Sequence, residues 1–188
     1  TMEDDTPATA IAIKGEHITT VGSDEEILDS ADPDTVLIDL QGRTLMPGFM
    51  DPHSHAFGDR EGSLENVQTY LLSLGITTSA ELSVDENRLQ TLKAFEESGK
   101  LRMRVSLYLT HVTNCGEVLG TWYYPEYQVS LEPGALLHIS GVKMFNDGGS
   151  CNAPAVSFEY GGGFGHGDLY FEAEVLADMI IEVQELGY

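Results

Sequence analysis

Leu40-Gln41-Gly42-Arg43-Thr44-Leu45-Met46-Pro47-Gly48-Phe49-Met50-Asp51-Pro52-His53-Ser54-His55 is the stretch that decides the fold. It reads as a strand, Thr44-Leu45-Met46, stopped by Pro47-Gly48, and a second extended run from Phe49 to Asp51 that delivers two histidines. Side chains alternate along an extended chain, so His53 and His55 share a face, and two imidazoles at that spacing suit a single metal ion. At the C-terminal end of the first strand of a βα series, such residues face the mouth where active sites are built. The competing reading is two polar loop histidines beside a turn.

Downstream, strands alternate with longer helices, which argues for α/β architecture with a parallel sheet. Leu64 to Ser73 is predicted as a helix with Gly75 beyond its last turn, and Ile76-Thr77-Thr78 as a β-branched strand ending near Glu81. Ser83 with Glu86 has the pattern of a capping box opening a second helix, which Gly99 follows. Arg102 to Thr110 is a third strand, and His111 to Gly134 a long loop carrying Trp122, Tyr123 and Tyr124. Val142 to Phe145 is a fourth strand. Glu172 to Leu186 is a helix with Val175, Met179 and Val183 on one apolar face.

Upstream, Ala10 to Ile13 and Ile18 to Val21 pair as a hairpin across Lys14-Gly15-Glu16, and Ser23 with Glu26 caps a short helix. Val36 to Leu40 is one further strand. The chain therefore divides into residues 1–48, strands of a small sheet, and residues 49–188, four βα units. Four such units are half of an eight-stranded barrel.

Composition limits the function. With 9 Lys+Arg against 31 Asp+Glu in 188 residues, the formal charge is −22. That charge repels a phosphate backbone and an anionic membrane surface alike, so neither nucleic acid nor membrane is an expected partner. No apolar run reaches the roughly 18 residues of a spanning helix. The acidic excess reads as a solvated surface, with adaptation to high salt as the alternative. Cys115 and Cys151 are expected not to form a disulfide framework, and the expected compartment is the cytoplasm.

Lys143 lies among apolar Val142, Met144 and Phe145, and a lysine directed into a barrel needs a reason. Carboxylation by carbon dioxide supplies one, because the resulting carbamate is anionic and can bridge two metal ions. A lysine snorkelling past the helices is the other reading. His111 after the third strand, Asp147 in Asn146-Asp147-Gly148-Gly149, and His166 in a Gly-rich loop are candidates for contacting substrate or supporting the site. Glu81, ending the second strand, reads either as a support for the site or as a surface carboxylate. Gly161 to Gly165 lacks the Lys-Ser/Thr of a phosphate loop.

The stretch Leu40 to His55 resembles the segment that opens the catalytic barrel in the amidohydrolase superfamily. Gly141-Val142-Lys143-Met144-Phe145-Asn146-Asp147-Gly148-Gly149 is similar to the fourth-strand segment of its family 3 branch, and Ala10 to Ser23 and Leu74 to Thr78 resemble that branch's N-terminal strands and second barrel strand. The resemblance implies a TIM-type (β/α)8 barrel, here its first half, with part of a small β-sandwich. It implies one or two divalent metals, commonly zinc, held by His53, His55 and an N6-carboxylated Lys143. The reaction implied is hydrolysis of amide or cyclic amide C–N bonds in a small molecule by metal-activated hydroxide. The later ligands of that family and its proton-shuttle aspartate have no counterpart before Tyr188, so no residue here is assigned as catalytic. Two further readings are a barrel half without activity, inclined to homo-oligomers, and a mononuclear deaminase with unmodified Lys143.

Overall fold

The computed structural model describes residues 8–163 and 165–188. The chain forms two compact units, Thr1–Met46 and Pro47–Tyr188.

In the first unit, β1 (Ala10–Lys14) pairs antiparallel with β2 (His17–Gly22) around Gly15, whose φ of 62° suits the tight turn. α1 (Asp24–Asp29) follows with both halves of its capping box made: the Ser23 hydroxyl accepts from the Glu26 N–H, and the Glu26 carboxylate accepts from the Ser23 N–H at 2.9 Å. The strands expected at Val36–Leu40 and Thr44–Met46 do not form. Val36, Leu37 and Ile38 are 82, 66 and 79 % exposed, and a β-rich run without a neighbouring ladder has nothing to pair its amides and carbonyls.

The second unit is a parallel sheet in the order β3-β4-β5-β6: β3 (Phe49–Ser54), β4 (Ile76–Val84), β5 (Arg104–Thr110) and β6 (Leu137–Lys143). After β3 come the short α2 (Ala56–Asp59) and α3 (Leu64–Ser73); α4 (Glu86–Glu97) links β4 to β5, and α5 (Ala173–Glu185) follows β6. Helical crossovers from β3 to β4 and from β4 to β5 are the α/β grammar expected from the sequence, while β5 reaches β6 through the long loop 111–136 without a helix. Gly48 at the start of β3 is needed as glycine, because an added Cβ would run into the Thr77 side chain.

One sheet face is sealed. Val105, Leu107 and Leu109 pack with Val67 and Leu71 of α3 and with Leu89, Leu92 and Phe95 of α4. These helix residues recur at three- and four-residue spacings, so each helix turns one stripe to the sheet. Gln68 within this core is satisfied at both ends: its Oε1 accepts from the Arg102 N–H and its Nε2 donates to the Lys100 carbonyl at 3.1 Å. Residues on the opposite face, Ser106 and Tyr108 among them, are half-buried. Of the expected stripe on α5, Val183 alone is buried, and Val175 is half exposed.

The fourth strand spans Leu137–Lys143 rather than Val142–Phe145, since Ile139 and Val142 pair with β5 while the chain turns after Lys143. The cap of α4 is also shifted. Asp85, not Ser83, occupies the N-cap, its carboxylate accepting from the Arg88 N–H at 2.8 Å. Ser83 stands in a bulge of β4 with φ 60°, where it cannot serve the helix. Asp85→Ala should therefore cost about 1 kcal/mol of stability, whereas Ser83→Ala should lose no cap; urea unfolding of both variants checks the assignment.

Candidate metal centre and cleft

The ends of the parallel strands carry the candidate groups. His53 lies in β3, exposed, and His55 follows it, half-buried, as the N-cap residue of α2. Their rings meet edge to face with centroids 5.5 Å apart, so the alternation expected from the sequence does bring them to one side. The His55 Nδ1 is within hydrogen-bond distance of the Leu82 carbonyl, 3.1 Å; donating there, it leaves Nε2 with a free lone pair. Asp51 folds back, its carboxylate accepting from the His53 N–H at 3.2 Å.

This pair fits a shared ion. Nitrogen–zinc bonds of roughly 2.0–2.1 Å put each ring centre about 3 Å from the ion, so centres separated by this distance are compatible with one tetrahedral metal. The set is partial, since among the described residues no three His, Cys, Asp or Glu side chains converge on one point.

Lys143 ends β6, opposite Thr110 and on the sheet face that Tyr108 shares. Three strand spacings separate β3 from β6, roughly 14 Å across a flat sheet. Its ammonium stands over the Phe145 ring at 4.4 Å from the centroid.

Between these strand ends lies a cleft of about 430 Å³, lined by His55, Asp59, Ser83, Asp85, Thr110, Thr113, Asn114, Leu119, Phe145 and Ser150. The sequence reading passed over most of these residues. Asp59, Thr110, Thr113 and Asn114 follow strand ends, which was the available signal; Ser83 enters through its bulge, which had none. The Ser83 hydroxyl is buried with no hydrogen-bond partner.

The other candidates are spread out. His111 is fully buried with Nδ1 2.8 Å from the Tyr123 hydroxyl; burial holds its imidazole below the usual histidine range, opposed by the Glu182 carboxylate. Asp147 is half-buried, its carboxylate accepting from the Ala155 N–H at 3.2 Å, and so braces the Gly-rich loop. The His166 side chain is exposed in that loop, while its carbonyl accepts from the Val156 N–H at 2.8 Å.

One sequence expectation is corrected, and for Glu81 one of two open readings falls away. Cys115 and Cys151 are joined as a disulfide, Cα atoms 5.3 Å apart. The loops after neighbouring parallel strands β5 and β6 emerge at the same end of the sheet, so 36 residues of separation vanish at the rim. Glu81 is no surface carboxylate: it is 1 % exposed, beneath α2. Burial pushes its pKa up to about 7, against the lowering effects of the Phe57 and Gly58 amides and of Arg88.

No family model matches the chain. It is 37 % identical over 81 residues to the imidazolonepropionase of Symbiobacterium thermophilum, a match covering 41 % of this chain and 18 % of that protein. Over 48 residues it is 40 % identical to the N-substituted formamide deformylase of Arthrobacter pascens, covering 26 % of this chain and 9 % of the relative. The structure resembles an uncharacterized metal-dependent hydrolase from Pyrococcus horikoshii, with TM-score 0.54, 30 % identity, and coverage of 66 % of this chain and 25 % of that one. A second uncharacterized metal-dependent hydrolase, from Pyrococcus furiosus, matches with TM-score 0.54 at 28 % identity. The chain thus spans less than a quarter of the curated relatives it matches. Among the described residues, no helix is long and apolar enough to cross a membrane.

Proposed function

We propose, for a chain that belongs to the amidohydrolase superfamily, metal-dependent hydrolysis of C–N bonds in a small amide or cyclic amide, at the mouth of a (β/α)8 barrel of which β3 to β6 are the first four strands. The observation that carries this reading is the His53–His55 pair: adjacent rings beside the cleft, one fixed through Nδ1 by the Leu82 carbonyl.

In this reading His53 and His55 would hold a divalent ion, commonly zinc, and a carboxylated Lys143 would be the further ligand. Once bound, one or two such ions lower the pKa of a coordinated water and polarise the carbonyl. The chain's own residues bind and orient. Thr110, Thr113 and Asn114 offer donors and acceptors to a planar amide, while Leu119 and Phe145 supply apolar wall. Hydrolysis would add one water across the C–N bond, its oxygen going to the carbonyl carbon and its proton to the departing nitrogen. Asp147 and His166 belong to a loop that would bound the substrate. His111 acts from beneath as support.

A second form of the reaction is a mononuclear deaminase, in which Lys143 stays unmodified and keeps its place over the Phe145 ring. Elemental analysis of the full chain, with intact mass measured under carbon dioxide, separates the forms. Two divalent ions and one added carbon dioxide per chain support the binuclear hydrolase; one ion with unmodified Lys143 selects the mononuclear form. Absence of bound metal overturns the proposal.

A further inference from the structure

We propose that Glu81 is a positioning residue for His55, an inference that rests on the hydrolase reading above.

His55 is the N-cap residue of α2, yet its side chain makes no capping hydrogen bond because its ring is turned to the Leu82 carbonyl. The Gly58 and Asp59 N–H groups donate to the His55 carbonyl at 2.9 and 2.8 Å, so the Phe57 N–H is the amide of this short turn still to be met. Glu81 lies against it: its carboxyl is next to the Phe57 and Gly58 backbone, with Oε1 3.5 Å from where a Gly58 Cβ would stand. Arg88 of α4 takes the other side of the same residues, donating to the Phe57 carbonyl and, at 3.3 Å, to the Gly58 carbonyl. Ser54, paired with Glu81 across β3 and β4, accepts from the Ala56 N–H at 3.1 Å. The chain on either side of His55 is thereby fastened to β4 and α4, and Leu82, the residue next to Glu81, fixes the imidazole itself.

A carboxylate is a costly way to do this if stability were its sole purpose. Glu81 is almost wholly buried, and its Oε2 has no hydrogen-bond partner. A side chain that breaks the rule of satisfied burial, directly behind His55, marks a functional constraint rather than a packing one. Metal-binding histidines depend on such outer groups for ring orientation.

The test uses Glu81→Gln and Glu81→Leu in the full chain, with two readouts: the His55 imidazole 15N shifts without metal, and Co2+ titration followed by visible absorption. Wild type and Glu81→Gln, whose amide keeps a polar oxygen against the Phe57 and Gly58 backbone, should show one His55 tautomer protonated at Nδ1 and similar Co2+ affinity. Glu81→Leu should mix the tautomers and weaken Co2+ binding by about 10- to 100-fold. If Glu81→Leu does not fold, Arg88→Met, which frees the carbonyl side, should shift both readouts in the same direction. Unchanged tautomer and affinity in a folded Glu81→Leu or Arg88→Met overturns the proposal. Failure of wild type to bind Co2+ overturns the hydrolase reading instead, and the metal-free 15N shifts still decide the role of Glu81.

Discussion

Replacing His53 and His55 together by alanine is expected to reduce bound metal from stoichiometric to background and to abolish hydrolysis, while leaving the protein folded. The separation of the two effects follows from where the rings sit. His53 is exposed and His55 half-buried, and neither belongs to the cluster formed by Leu89, Leu92, Val105, Leu107 and Leu109. Loss of the one hydrogen bond from His55 to Leu82 costs about 1 kcal/mol. Loss of two imidazoles from an ion of low coordination number removes its anchorage. Elemental analysis beside far-UV circular dichroism and urea unfolding checks both halves. Stoichiometric zinc retained in the folded double variant would falsify the site.

Why the adjacency of these histidines was legible while the burial of Glu81 was not is a matter of range. His53 and His55 act through local alternation, so their shared face follows from positions two apart. The hairpin of β1 and β2, the capping box at Ser23 and the bounds of α3 are likewise short-range, set by turn and cap chemistry within a few residues. The strands expected at 36–40 and 44–46 failed because strand formation requires a partner, and apolar β-rich residues do not name one. The bulge at Ser83 displaced the cap of α4 by two residues through a register shift between β4 and β5. Cleft residues such as Asp59, Asn114 and Ser150 come from three different strand ends. Their meeting, like the Cys115–Cys151 link, depends on strand order, which periodicity does not specify.

The second large effect is a pH dependence belonging to Glu81 alone. Its carboxyl has an ordinary value of 4.5 in the unfolded chain and one raised to about 7 in the fold, chiefly by burial. Between these values the native state holds a proton that the unfolded state has released, so stability falls as pH rises through the window and is level above it. The integrated loss is on the order of 3 kcal/mol, with the opposing effects of the amides and Arg88 already contained in the raised value. Glu81→Gln keeps a polar side chain of the same shape but has no proton to release. The stability of the variant minus that of wild type should therefore grow from about pH 4.5 to about pH 7 and then stay constant. Taking the difference cancels the titration of the other carboxylates, of which this chain has many. Urea unfolding of both proteins across that range measures it: parallel profiles would mean that Glu81 is ionised in the fold throughout, while a widening gap confined to that window identifies a carboxyl that buries its proton along with itself.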